Sequence, residues 1–539
     1  MVQVRADIHR PFPQPVLAAC GLMLLAQCLA AQQPRFYPDD PVRVMPPPYS
    51  AKVTPRNTDA LYDFLKQSFQ PDTRPPAPAL GVNTLGEVPD SEWYTNRHGV
   101  RRMTPDELRR GPGDGNPPQA PFRVVGGKVD GITPGFRMVD AKNTLYFVKP
   151  DPRTNPEMAT AADVIGSRFF YAIGYNTPEN YILYLRPEDL AVGEEARIKG
   201  LNDKRRPMNR RDLNDILRNV PRRTDGTIRV LASAALKGEP LGPFRYEKFR
   251  RDDPNDIVPH DRRRDLRGLH VFCAWLNHTD AKSINSLDVL VEEQGRTFVR
   301  HYLIDFGAIL GSDSDMPKNA RFGNEYVLPK PKQALGRMVA FGFDTKPWET
   351  ADYGDLKPVG RLESAVFDPE KWKSNYPNPA FLSRLPDDEF WAAKTVMAFT
   401  EPEIRAIVEA GQYSNPRAVD YITKTLAERR DKIGRTYFAK VLPLDGFRVE
   451  AGSLRFEDLA VKYNFEQPRK HEIAWSAFDN STGKQSPLAG ETSAGVPQIA
   501  PGGYLAATIT LPGDNRRKVT AFLRHASGGY EVVGLDRTW

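Results

Sequence analysis

Apolar and polar positions along this chain change rhythm several times, and each change marks a region. Residues 16–29 are a short apolar run that follows Arg5, His9 and Arg10 and closes on Ala30 and Ala31. A basic start, a short apolar stretch and a small-residue close make an export signal, with cleavage near Ala31. The run is too short for a comfortable membrane span. Residues 17–20 ("LAAC") also match a lipoprotein signal, but a proline-broken stretch precedes Cys20 and the better apolar run follows it. The mature protein is therefore expected to be exported, periplasmic or secreted. Residues 32–120 are proline-rich, with one patch at helical spacing over 58–69. They read as an arm laid over a folded domain.

From Phe122 the pattern alternates as strands do, with Gly126, Gly127, Gly131 and Gly135 at the turns. A helix follows: Asn155-Pro156 starts it, an apolar face runs from Met158 to Ile173, and Gly174 ends it. Residues 181–185 return as a strand. Residues 121–186 thus form a small α+β lobe. Residues 187–444 form a larger helical lobe, with a charged insertion over 187–225 and three capped, periodic helices beyond residue 380. Residues 445–539 are short strands between turn residues, an all-β sandwich-like domain. The fold class predicted is α+β: a β-rich N-lobe, a helical C-lobe and a C-terminal β domain.

Composition narrows the class. In 539 residues, 40% are hydrophobic and 27% charged, as in a globular chain built of several domains. No further apolar stretch is long enough for a transmembrane span. The net charge of +7 is spread over mixed-sign surface. In the insertion acids interleave with the arginines and no aromatic residues accompany them, so no nucleic-acid partner is expected. Once the signal is removed Cys273 is the single cysteine, and stability must come from packed cores. The histidines show no metal-ligand spacing.

The chemistry concentrates in residues 277–307, "NHTDAKSINSLDVLVEEQGRTFVRHYLIDFG". Asn285 and Asp305 each lie ten residues from Gly295. If the flanking strands pair through that turn, an amide oxygen and a carboxylate stand side by side at the open end of a hairpin. Both are hard oxygen donors suited to Mg²⁺ or Mn²⁺ bridging substrate phosphates. Asp280 leads into the first strand and is placed to accept a proton from an attacking hydroxyl. Lys282 is placed to neutralise the transferred group. Upstream, Lys149 ends a strand and can reach phosphates as a point charge, with Asp163 and Glu157 on the next helix as possible partners. The glycine-rich hairpin holding Gly127, Gly131 and Gly135 precedes Lys149 at a distance suited to folding over a nucleotide.

These residues resemble the protein-kinase-like superfamily. "HTDAKSIN" is similar to its catalytic loop through His278, Asp280, Lys282 and Asn285; "LIDFGAIL" resembles its Asp-Phe-Gly segment and "YFVK" its lysine strand. The helix ending "AIGYNTPEN" is similar to that of the atypical bacterial HipA-type kinases, a register that implies Asp163 rather than Glu157 as the lysine's partner. The resemblance spans roughly residues 120–440. The chain departs from it in carrying Thr279 where an Arg is usual before the base, in its glycine spacing, in an Asp partner where Glu is usual, and in lacking an Ala-Pro-Glu after Asp305. The missing Arg and Ala-Pro-Glu speak against phosphorylation-gated activation.

The resemblance implies phosphoryl transfer from ATP or another nucleoside triphosphate, with Mg²⁺ or Mn²⁺, to a hydroxyl on a protein, sugar or small molecule. The alternatives are an inactive kinase-like scaffold, whose β domain binds an envelope partner, and nucleotidyl transfer on the same fold.

Overall fold

Strand pairing gathers the regions of the sequence into three sheets, a hairpin and one helical body. The structure, a computed structural model, describes residues 33–41, 52–57, 60–70, 75–128, 135–199, 204–328, 345–488 and 493–539. The export signal, with Cys20 and Ala31, and Gly131 lie outside the described residues.

The small lobe is a seven-stranded sheet built from β1 (Phe122–Lys128), β2 (Gly135–Val139), β3 (Leu145–Pro150), β4 (Asn180–Leu185), β5 (Leu190–Lys199), β6 (Arg205–Pro207) and β7 (Ile228–Ala234). Its order is β4-β7-β3-β2-β1-β5-β6, antiparallel except where β5 runs parallel to β1. The sheet therefore continues past residue 186, where the sequence pattern placed the lobe boundary. The charged stretch 187–225 supplies β5, β6 and a helix (Arg210–Leu217). Six of its apolar side chains, Leu190, Ala196, Met208, Leu213, Leu217 and Val220, lie among the arginines and join the lobe's core with Val124, Met138 and Val148. The arginines solvate the outer surface of an element whose inner surface is buried.

The opposite face of that sheet takes α1 (Met158–Ile173), where Val164 packs with Ile182 and Leu231. No side chain of the first residue outside α1 caps it. Instead Asp151, at the end of the preceding strand, accepts the Thr160 N–H at 3.0 Å and so satisfies one donor of the first turn. Gly174 ends the helix at φ +144°, and a Cβ there would strike Tyr94 of the arm.

The helical body is built from α2 (Arg264–Leu276), α3 (Pro386–Met397), α4 (Glu401–Glu409) and α5 (Pro416–Phe438). Every residue of α2 is buried. Its charges are paired as burial demands: Arg264 and Arg267 both reach Asp388, at 2.9 and 3.2 Å. The three-stranded sheet β8 (Glu239–Gly242), β9 (Ser286–Glu293) and β10 (Arg296–Leu303) has the order β10-β9-β8. Among the described residues no helix is long and apolar enough to cross a membrane.

The C-terminal domain is a five-stranded antiparallel sheet covered on one face by a hairpin (Leu444–Glu450 with Ser453–Asp458). Its other face buries Phe36 of the arm against Phe478 and Phe522. The arm also reaches the three-stranded sheet, where Trp93 stacks on His301 of β10 with ring centroids 3.5 Å apart. The mixed α+β architecture predicted from the sequence is the one observed.

Candidate active site

The β9–β10 hairpin sets the geometry. Ser286 pairs with Leu303 and Glu293 with Arg296, so the turn is the two residues Gln294 and Gly295, at φ +51° and +73°. Two positive φ values match the twist of a tight hairpin. The ladder is thus centred between Gln294 and Gly295. Asn285 stands opposite Ile304, whose N–H donates to the Asn285 carbonyl at 3.0 Å. Symmetry about Gly295 would have set Asp305 opposite Asn285; in the observed ladder Asp305 lies one residue beyond that position. There the backbone turns left-handed, φ +62°, a conformation Asp tolerates better than most residues. The turn sends Phe306 into the core, 0% exposed, and leaves the Asp305 carboxylate nearly half exposed at the mouth.

Lys149 follows from strand alternation. It pairs with Leu231 across β3 and β7, cross-strand partners share a face, and Leu231 packs against α1. The ammonium therefore points toward that helix. It lies 2.7 Å from Asp305 Oδ1 and 3.4 Å from Asp163 Oδ2. Burial works against the Lys149 charge, but the two carboxylates outweigh it and raise its hold on the proton above the ordinary lysine value. Asp163 is buried, and its other oxygen accepts the Phe306 N–H at 3.0 Å and an Asn180 amide hydrogen at 3.3 Å. Of the two acids on this stretch, Asp163 is the partner. Glu157 is not: its carboxylate accepts the Ser414 N–H and hydroxyl at 2.9 and 3.1 Å, so it ties α1 to the helical body. Lying just outside α1, at φ +72°, it has left the helical face that looks at Lys149.

Asp280 sits in the loop after α2. That helix ends at Asn277, left-handed at φ +52°, and the His278 N–H closes back on the Cys273 carbonyl at 2.8 Å. Asp280 Oδ2 accepts the Asn285 amide at 2.8 Å, and Oδ1 accepts the Asn375 amide at 2.9 Å and meets Lys282 Nζ at 2.7 Å. His278 is buried between Phe170 and Phe306; burial pushes its imidazole down to about 4, so it is neutral and packs the loop rather than carrying a proton.

The glycines divide. Gly127 pairs with Phe136 and Gly135 with Lys128 inside the β1–β2 ladder, so both flank the hairpin tip. A Cβ on Gly127 would sit 2.9 Å from Ile198. The close approach of β5 gives that glycine a packing role.

Three contributors carry no signal at short range. Asn375 reaches Asp280 from 95 residues away. Asn180, opening the strand after α1, steadies Asp163. Lys318 is buried, with its ammonium on the Thr279 hydroxyl at 2.6 Å and the Ala308 carbonyl at 3.0 Å. It thereby ties the Asp280 loop to the segment after Asp305. Burial pushes the Lys318 ammonium below its ordinary value, with Asp280 and Asp313 opposing.

The donor set suits a magnesium-type ion. Asn285 spends its amide hydrogens on Asp280, which leaves its oxygen, with the Asp305 carboxylate, as hard donors. Among the described residues no group of three His, Cys, Asp or Glu side chains could hold a metal. Two protein ligands, with water and phosphate oxygens completing the shell, is how Mg²⁺ is commonly bound.

No family model and no curated protein matches the sequence. Among solved structures the chain is similar to a Helicobacter pylori proinflammatory kinase, CtkA, at 11% identity over 57% of this chain and 94% of that one, TM-score 0.29. It is also similar to the Golgi casein kinase, at 10% identity over 62% of this chain and 75% of that one, TM-score 0.27. The Golgi casein kinase with Mn/ADP bound matches at 10% identity over 62% and 77% of the two chains, TM-score 0.27.

Proposed function

We propose that the chain is an exported, kinase-like phosphotransferase of the atypical, HipA-like kind, moving the terminal phosphoryl group of a nucleoside triphosphate to a hydroxyl acceptor. The observation that carries this reading is the double engagement of Lys149 by Asp163 and Asp305, beside an Asp280–Asn285 pair at the mouth of one hairpin. Asp280 takes the proton from the acceptor hydroxyl as its oxygen bonds to the terminal phosphorus. The bond from that phosphorus to its bridging oxygen breaks, and the nucleoside diphosphate leaves. Lys149 holds the phosphates, Asp163 holds Lys149, and Lys282 offsets charge on the transferred group. Asn285 and Asp305 would hold Mg²⁺ or Mn²⁺, whose contribution is to neutralise the phosphate oxygens. Such a site works by placement and charge compensation.

The test is thermal unfolding of the mature chain with ATP and Mg²⁺, together and singly, beside Asp305→Ala. An upward shift that needs both and is lost in Asp305→Ala is expected. No shift with any nucleoside triphosphate at millimolar concentration overturns the reading.

One observation favours a second reading, an inactive scaffold. Each acid of the mouth is already neutralised from within, Asp305 by Lys149 and Asp280 by Lys282. A site so balanced holds together without nucleotide, and the C-terminal β domain would then carry the binding role toward an envelope partner. The same unfolding series separates the two.

Export by residues 1–31 rests on the charge and apolar pattern of that stretch. N-terminal sequencing of the mature protein tests it, and a chain that still starts at Met1 rejects it.

A further inference from the structure

Next in the chain to Lys318, whose ammonium bonds to Thr279, begins the lining of a cavity of about 460 Å³ that includes Arg321, Arg361, Trp348, Tyr353, Glu349 and Asn319. Its two arginines are held without being neutralised. Arg321 donates from one terminal nitrogen to the carbonyls of Tyr326 at 3.0 Å and Val327 at 2.7 Å. Its Nε is shielded from solvent and meets no acceptor among the described residues. Arg361 donates to the Lys318 carbonyl at 3.2 Å. Among the described residues neither guanidinium meets a carboxylate. The one acid of the lining, Glu349, accepts the Lys346 N–H at 3.1 Å and so closes its own turn. Among the described lining residues two positive charges stand against one negative.

Both arginines are also wired to the catalytic loop. Arg361 rests on Lys318, whose ammonium grips Thr279. Arg321 rests on Val327, whose N–H donates to the Asn375 carbonyl at 2.7 Å; Asn375 in turn donates to Asp280. Each guanidinium is thus fixed relative to the residue read as the base. A guanidinium so placed matches a carboxylate or phosphate.

We propose that this cavity is an acceptor subsite which binds an anionic group, carboxylate or phosphate, on the molecule whose hydroxyl reaches Asp280. The proposal rests on the phosphotransfer reading for the word acceptor, and on the cavity alone for the binding. The anion could belong to an acidic peptide or to a small phosphorylated compound, and both share the chemistry the arginines recognise.

Calorimetric titration of the full mature chain tests it without nucleotide or turnover. The probes are a serine peptide flanked by glutamates, the same peptide with glutamines, and inorganic phosphate, all at matched ionic strength. The acidic peptide is expected to bind at least ten-fold more tightly than its glutamine counterpart, with phosphate competing. Arg361→Gln and Arg321→Gln should each erase the preference, and Arg361→Lys, which keeps the charge, should retain most of it. Phosphate binding that depends on both arginines, without a preference for the acidic peptide, supports the subsite and assigns the anion to a small phosphorylated acceptor. Equal binding of both peptides with no phosphate binding overturns the proposal, as does a preference that survives both glutamine variants. A chain that shows the preference but no Mg²⁺-dependent nucleotide shift keeps the subsite and loses the phosphotransfer reading. The converse result keeps the reading and loses the subsite.

Discussion

Asp163 accepts the backbone N–H of Phe306 through one carboxylate oxygen, at 3.0 Å. Through the other it faces Lys149. One buried acid therefore fixes both the strand lysine Lys149 and the turn that presents Asp305, so α1 sets the spacing between the two halves of the site. Removing it should cost more than a single hydrogen bond, because the buried Phe306 N–H loses its acceptor and the Lys149 ammonium loses one of its two carboxylates, keeping only Asp305. Asp163→Ala is expected to destabilise the chain by about 3 kcal/mol and to abolish nucleotide-dependent stabilisation. Glu157→Ala should cost about 1 kcal/mol and leave the nucleotide response intact. Urea unfolding of the two variants, with and without ATP and Mg²⁺, checks the pair. Equal effects would reject the assignment of Asp163.

Gly166, on the buried face of α1, offers a test in which two opposing effects can be weighed. Alanine is the better helix former by about 1 kcal/mol. Yet a Cβ at this position would lie 2.6 Å from the Phe306 Cβ and 2.8 Å from Ile309. Phe306 is fully buried and stacks on Phe170 with centroids 5.1 Å apart, so it has no room to yield. Overpacking of this kind costs about 1–3 kcal/mol, and it should win. Gly166→Ala is expected to lower the unfolding midpoint and weaken the magnesium-dependent nucleotide shift, because Asp305 moves with Phe306. A stabilised variant with an unchanged nucleotide shift would mean that Phe306 is not seated against α1.

Much of this site was legible because strand and helix periods act locally. The hairpin, the strand lysine, the helix after it and the three late helices all follow from spacing. The register was read one residue off, since Gln-Gly is a weaker turn signal than Asn-Gly and the ladder turns about both residues. The stretch 187–225 looked like solvated surface because charge dominates its composition, although six buried apolar residues spread along it seat it in the lobe's core. Asn375 and Lys318 were beyond reach. Each acts on the Asp280 loop through contacts that exist only once distant segments meet, and neither sits in a periodic or capped pattern that would single it out.

The role of Asp280 can be separated from its hydrogen bonds. Asp280→Asn keeps the shape and an acceptor oxygen for one of the two amides, Asn285 or Asn375, that now donate to separate carboxylate oxygens, but removes the proton acceptor. Turnover of any hydroxyl acceptor is expected to fall by about 10²–10⁴-fold, while the nucleotide-dependent shift in unfolding temperature is retained. Lys282→Met should lower turnover less, since on the proposed reading Lys149 still serves the phosphates. A variant Asp280→Asn with full turnover would remove the base from the mechanism.

His278 carries the clearest pH signature near the site. It packs between Phe170 and Phe306 and is faced by the charges of Asp280, Asp305, Lys282 and Lys318. Burial lowers its imidazole to about 4, with Asp280 opposing, against about 6.5 in an unfolded chain. Between those values the unfolded state binds the extra proton. The stabilisation is therefore complete above pH about 6.5 and is lost as pH falls toward 4, up to about 3 kcal/mol in all. His98 and His270 are lowered in the same direction by burial, so the total slope does not isolate one residue and a difference is needed. Unfolding free energy measured from pH 4 to 7 for the wild type and for His278→Leu should converge as the pH falls, the variant showing the shallower slope. Parallel curves would place the His278 titration at its unfolded value and remove it from the packed, neutral role assigned beside Asp280.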